Sequence, residues 1–262
     1  MRVLVTNDDG IQAPGIRVLV EALLQYQPTY ELYVVAPANE RSAVGHGITV
    51  RSPLHVEEYV LEGLPVKAWA VQGTPADCIK VGYHLLCERE VHLVISGINA
   101  GTNLGKDVYY SGTVSGAREG VILGVPGIAL SYDNHFTPED FSGVNQLLQS
   151  VFQQIEATVI PQGTLLNINL PNLKNHHVKG MIPAPLAWDF YEDRLQQIDD
   201  MKSGYWLERE YGRIHPLQDD YHLLMNGYIT ITPIQIDTAD HSLLQQMNSW
   251  KIEFDGREGT EK

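Results

Sequence analysis

Asp8 and Asp9 stand side by side in the run Asn7-Asp8-Asp9-Gly10, directly after the apolar, β-branched segment Arg2 to Thr6. Neighbouring side chains on a regular strand point to opposite faces. The two carboxylates therefore converge only if the chain leaves strand geometry here, and Gly10 permits that turn. Two ionised carboxylates about 4 Å apart repel by roughly 4 kcal/mol at an effective dielectric near 20. A hard divalent cation removes that penalty, and Mg²⁺, Mn²⁺ and Ca²⁺ prefer such oxygen ligands. The plainer reading is an Asp-Asp-Gly turn without chemistry. Its place at the mouth of a first strand favours the cation, because open parallel sheets bind ligands at the C-terminal ends of their strands.

The same rule directs attention to the loops after the other strand-like runs. After Glu31 to Pro37 comes the loop "APANERSAVGHGIT", in which Ser42 offers a neutral oxygen and His46 is either a general acid or a packing histidine. After "VHLVIS" comes "SGINAGTNLGKDVYYSGTVSGAREG", with Asn99 and Asn103 set among Gly97, Gly101 and Gly105. Asn side chains can complete a cation shell or hold a phosphate without adding negative charge. Ser111, Gly112 and Thr113 then open a helix, whose free backbone N–H groups form an anion site. Arg118 lies about one turn inside, with Glu119 beside it as a candidate ion-pair partner.

Charge constrains this reading. The chain carries 18 Lys and Arg against 32 Asp and Glu, a net charge of −14. That field argues against a nucleic-acid polymer as partner. It also repels a phosphate substrate, unless the site itself is locally positive. A helix N-terminus contributes only roughly 0.3–2 kcal/mol toward an anion, whereas phosphate monoester hydrolysis can need a rate enhancement near 10²¹. Donors and dipoles can position such a substrate. A cation can in addition polarise the phosphoryl oxygens and activate water.

Strand-like and helix-like segments alternate through the first half of the chain. The strands are "RVLVT", "ELYVVAP", "VKAWAVQG", "VHLVISG", "PGIALSY" and "TLLNINLP". Between them lie helical patterns, including "PGIRVLVEALLQYQ", a run from Pro75 to about Cys87, and "PEDFSGVNQLLQSVFQQIEA". Thr74 is the expected N-cap of the second, with Pro75 in its first turn and Asp77 at its positive end. Such alternation predicts an α/β, Rossmann-like, doubly wound and mostly parallel sheet over residues 1–171. Residues 172–254 read as a β-rich C-terminal extension with a terminal helix, "HSLLQQMNSW", and 255–262 as a disordered tail. In that extension "GYITITPIQI" alternates apolar and polar residues, which suits an exposed strand that pairs with another chain. No apolar run approaches the roughly 20 residues of a membrane span, so no membrane partner is expected and cytoplasm is the default location. Cys78 and Cys87 are separated by roughly 13 Å of helical rise if the helix is continuous, too far for a disulfide.

The stretches "NDDGIQAPGI", "VVAPANERSAVGHGIT", "GTPADC" and "SGINAGTNLGKDVYYSGTVSGAREG" together resemble the SurE family of stationary-phase survival proteins, with "GYITITPI" as a further match. The resemblance implies a Rossmann-like 5′/3′-nucleotidase with one Mg²⁺ or Mn²⁺ per subunit. It places metal ligands at Asp8, Asp9, Ser42 and Asn99, with Asp8 and Asp9 also catalytic. Phosphate contacts fall at Asn103, Ser111, Gly112 and Thr113. Nucleoside monophosphates are the implied substrates, with short polyphosphate for some members, and a homodimer or homotetramer built through C-terminal segments is the implied assembly. Two places depart from the family pattern: Ala43 stands where Gly is expected, and "FYEDRLQQIDDMKSGYWLERE" is atypical, so the role of the 187–210 segment that contains it is open.

Two other classes also place acids after a first strand. A phospho-receiver module needs an acceptor Asp after a central strand, where this chain has Ser96 and Asn99. Metal-dependent sugar-nucleotide transferases commonly use two acids separated by one residue, whereas Asp8 and Asp9 are contiguous.

Overall fold

Alternation along the first strand decides the layering of the molecule. In β1 (Arg2–Thr6), Val3 and Val5 face one side of the sheet and Leu4 the other, and all three are fully buried. The computed structural model describes residues 1–137, 140–198, 203–211 and 218–250; the expected disordered tail, 255–262, lies outside the described residues.

Val3 and Val5 pack beneath α1 (Pro14–Tyr26) and α4 (Asp140–Glu156), whereas Leu4 meets the layer of α2 (Pro75–Val81). On that second side α3 (Gly112–Ile122) packs beside α2. Helix α1 begins with Pro14, whose missing N–H costs nothing at a first turn. It buries Ile16, Leu19, Val20 and Leu23, the one-sided spacing of an amphipathic helix.

Six parallel strands form the centre of the sheet, in the order β4 (Lys67–Val71), β2 (Glu31–Pro37), β1, β5 (Leu93–Ala100), β6 (Gly127–Tyr132) and β7 (Thr164–Leu170). From β1 the chain winds outward in both directions, so the crossover point lies between β1 and β5. This is the expected Rossmann-like, doubly wound α/β architecture. The short β3 (Val56–Tyr59), not expected from sequence, closes one edge antiparallel to β4.

The C-terminal segment departs from expectation. Strand β11 (Ile229–Gln235), the anticipated exposed pairing strand, is interior: it pairs antiparallel with β7 and parallel with β8 (Met181–Pro183). Its polar Thr230 and Thr232 are buried, which explains how a polar alternation came to lie inside a sheet. Two strands of the 172–254 extension thus finish the main nine-stranded sheet. Strands β9 (Tyr191–Gln197) and β10 (Tyr205–Tyr211) form a separate antiparallel ribbon. Neither β9 nor the short α5 (Asp220–Met225) was expected, because their polar composition hides the period. A final short helix, α6 (His241–Gln246), falls in the predicted terminal segment.

The run from Pro75 keeps winding beyond α2, but as a π turn, Gly82–Leu86. Both cysteines are free and buried. Among the described residues no helix is long and apolar enough to cross a membrane.

Close backbone approach fixes the seat of α3 on the sheet. A Cβ at Gly127 would stand 2.1 Å from the carbonyl oxygen of Ala117, a contact only backbone movement could relieve. Gly127→Ala is expected to destabilise the fold by about 1–3 kcal/mol through overpacking. A urea midpoint unchanged from the parent would contradict this packing.

Candidate active site

Residues from both sides of the β1/β5 crossover meet in a cleft of about 520 Å³ at the C-terminal ends of the strands. Asp8 and Asp9 come from the end of β1, Ser42 from the loop after β2, and Asn99 from β5. Asn103 comes from the glycine-rich loop and Ser111 from the start of α3; all six line the cleft.

Local chemistry turns the paired acids into position. Asn7, fully buried, donates from Nδ2 to the carbonyl of Gly10 at 2.8 Å and accepts the Gly10 N–H at Oδ1, 3.2 Å. This side-chain clasp closes a turn in which Gly10 adopts φ +101°, where a β-carbon is strained. Asp8 is buried against α3 and accepts the Thr113 hydroxyl at Oδ1. The approach is possible because residue 112 is glycine: a Cβ there would lie 2.7 Å from Asp8 Cβ and 2.8 Å from its Oδ2. Asp9 turns the other way and accepts the Ala100 N–H at 3.0 Å.

Burial pushes the Asp8 carboxyl up to about 6; Thr113 pulls it back and the neighbouring Asp9 charge pushes it further. Asp9 is also raised, by burial first; the Ala100 N–H opposes the shift, Glu40 adds to it and His135 opposes it. Both shifts express the same condition, anionic groups held where water cannot solvate them fully.

The neutral oxygens are arranged around this pair. Asn99 donates from Nδ2 to Gly101 O at 2.8 Å, which orients its amide. In β5 the register against β6 shifts between Ser96 and Asn99. Ser42 donates to Glu40 Oε1 at 2.6 Å, and Ala43 beside it has φ +53°, the left-handed region that favours the glycine expected there. Asn103 is deeply held: Nδ2 donates to Ser131 Oγ at 2.8 Å, and its carbonyl accepts from both Asn167 and Asn169. Ser111 caps α3 by accepting the Val114 N–H at 3.0 Å, which leaves its hydroxyl proton to donate elsewhere.

Gly112 and Thr113 stand behind Asp8 rather than on the cleft wall, and the Thr113 hydroxyl is engaged by Asp8. The Thr113 backbone N–H is also directed to Asp8, so Thr113 spends both of its donors on that carboxylate. Glu119 does not pair with Arg118. It sits between Lys80 at 2.6 Å and His46 at 2.9 Å, while Arg118 donates to Val108 O at 3.2 Å. Burial raises the Glu119 carboxyl, but its bonds to His46 and Lys80 outweigh that and hold it below the usual range. His46 thus anchors its loop to α3, and it does not line the cleft.

Sequence reasoning missed Glu40, His135 and Arg209, all on the cleft wall. Glu40 lies two residues before Ser42. His135 follows β6, where the strand-end rule would have found it. Arg209 lies on β10 and carries no local signal.

The donor set suits a hard cation. Among the described residues no three His, Cys, Asp or Glu side chains cluster as metal ligands. The cleft offers instead two carboxylates with neutral hydroxyl and amide oxygens, a set for Mg²⁺ or Mn²⁺ rather than Zn²⁺.

Fold and cleft define a doubly wound α/β protein with paired acids at its crossover point. The family model described as Survival protein SurE matches residues 3–193. A protein of Brevibacillus brevis named 5′-nucleotidase SurE is 51% identical over 261 residues, covering 96% of this chain and 97% of that one. One of the same name from a Synechococcus species is 40% identical, covering 96% and 98%. The crystal structure of the SurE protein from Aquifex aeolicus superposes with a TM-score of 0.80 at 34% identity, covering 94% of this chain and 98% of that one. The chain belongs to the SurE family.

The loop bearing Ser42 is pinned from behind by α2. Thr74 caps the helix in a capping box with Asp77, and donates to Gly47 O at 2.7 Å. Asp77 accepts the Thr49 N–H at 2.9 Å and the Thr49 hydroxyl at 2.7 Å. Burial raises the Asp77 carboxyl, but the bonds from Thr49 and Thr74 outweigh it and hold it below its ordinary 3.8. A depressed carboxyl adds stability above the unfolded value, and that stability is lost as pH falls through the folded one. Asp77→Ala is expected to cost about 1–2 kcal/mol at neutral pH. The gap to the parent should narrow below the ordinary 3.8. Denaturation curves at neutral pH and in acid check this, and a gap independent of pH would contradict it.

Proposed function

We propose that this cleft hydrolyses nucleoside monophosphates to nucleoside and phosphate, with one divalent cation, Mg²⁺ or Mn²⁺, held by Asp8, Asp9, Ser42 and Asn99. The observation that carries the reading is the adjacent pair of buried Asp8 and half-buried Asp9, both with raised carboxyls, on a wall shared with the neutral oxygens of Ser42 and Asn99. The names of the Brevibacillus and Synechococcus relatives support a 5′-nucleotidase. The resemblance extends the reading to 3′-monophosphates and short polyphosphate.

When bound, the cation offsets the repulsion of the two acids, polarises a phosphoryl oxygen and activates water. The side chains supply position. Asn103 is fixed by Ser131, Asn167 and Asn169, so its placement toward a phosphoryl oxygen needs little reorganisation. The Ser111 hydroxyl and the Gly112 N–H at the start of α3 take the remaining oxygens. One of the paired carboxylates accepts the proton of the attacking water. β5 leads to Ser96 and Asn99 and supplies no acceptor carboxylate, which speaks against a receiver module.

EDTA is expected to abolish phosphate release from AMP, and Mn²⁺ to restore it. Asp9→Asn should lower kcat by about two orders of magnitude or more. A folded Asp9→Asn protein working at the parent rate would refute the scheme.

We also propose a homodimer or homotetramer through the C-terminal segments. The β9–β10 ribbon exposes Leu195, Trp206 and Leu207, and a lone two-stranded ribbon is only marginally stable in water. Light scattering at micromolar concentration should give a dimer or tetramer mass; a monomer mass would overturn this.

A further inference from the structure

The cleft retains an electrostatic problem after its paired acids are matched by a cation. Glu40 and Asp107 also line it, and both repel a phosphate. Among the described residues, the only basic side chains on its wall are His135 and Arg209. Arg209 reaches in from β10, on the ribbon rather than on the main sheet and its loops, which carry the other candidate ligands.

Its surroundings hold it at the mouth. Arg209 Nη1 lies 3.0 Å from Asp107 Oδ2, and the guanidinium sits 4.5 Å from the centroid of the Tyr191 ring. Asp107 is fixed in turn by the Tyr191 hydroxyl, which donates to Oδ1 at 2.6 Å. Asp193 is more distant, 3.9 Å from Nε. A guanidinium carries five donors in a planar fork. The bond to Asp107 takes one, and the side chain stays partly exposed, at 39%. Asp107 lies in the turn Gly105–Tyr109, four residues before Ser111, so the pair stands beside the phosphate-facing end of α3.

We propose that Arg209 is a substrate-binding residue, anchoring the nucleotide's phosphate from the ribbon with the donors that Asp107 leaves open. This rests on the phosphatase reading of the cleft. Asp107 aligns the fork but also draws on its charge and repels the incoming dianion.

The test separates binding from the latch that the same ion pair makes. Arg209→Gln is expected to raise both KM for AMP and the inhibition constant of inorganic phosphate by about tenfold, the size of one lost charge-assisted hydrogen bond. Arg209→Lys should fall between, since it keeps charge but loses the fork. Asp107→Asn weakens the same latch but keeps the guanidinium on the face of Tyr191 and removes a negative charge, so both constants should fall. If Arg209→Gln and Asp107→Asn instead raise both constants alike, the arginine only ties down the ribbon and the proposal fails. It fails equally if Arg209→Gln leaves both constants at the parent value. EDTA-sensitive phosphate release by the parent protein reports separately on the phosphatase reading.

Discussion

Repulsion between Asp8 and Asp9 is the constraint from which the architecture around the cleft derives. Two anions held side by side, one of them buried, are tolerable only with compensation on every side. The fold provides it locally: the Thr113 hydroxyl and the first turn of α3 for Asp8, the Ala100 N–H for Asp9. The approach of α3 to Asp8 is close enough that residue 112 must lack a side chain. Both carboxyls are raised, by burial above all, with the Asp9 charge adding to the shift at Asp8; a bound cation would offset both effects.

The layers behind the cleft act as a second frame. Asp77 and Thr74 secure the loop of Ser42 from the N-terminus of α2, and the Lys80–Glu119–His46 chain secures it from α3. Buried Asn167 and Asn169 hold the glycine-rich loop from β7. Asp220, at the start of α5, accepts the Gly105 and Ala187 N–H groups, both at 2.8 Å, and so ties the same loop to the C-terminal half. Much of the charged and polar content of the long motifs is therefore positional, and only a few side chains face the cleft.

Legibility in the sequence depended on how local each signal was. The β1 acids, the Thr74 cap and the opening of α3 at Ser111 each depend on a few consecutive residues, and the structure places them accordingly. Glu119 is hard to assign from sequence because its partners, Lys80 and His46, lie 39 and 73 residues away. A hydroxyl at a helix start has two uses, and at Thr113 the structure shows it bonded to the buried Asp8, a partner 105 residues away that no local pattern reveals. Arg209 is invisible in sequence because only the pairing of β9 with β10 carries it to the cleft. Strand β11 alternates like a half-exposed strand, yet Thr232 donates its hydroxyl to Ala184 O at 2.9 Å, so that polar group is satisfied inside the protein.

The position of β11 has a consequence for how the molecule is made. It lies between β7 and β8 although residues 184–228 separate it in sequence from β8, its parallel neighbour. On a ribosome, β7 has emerged long before its antiparallel partner exists, and its outer edge waits unpaired while residues 171–228 are synthesised. Chains exposing such an edge are open to mispairing with one another. Nascent chains stopped short of residue 229 would therefore carry an unfinished sheet, and in this topology the native layer closes only after every other strand of it has been made.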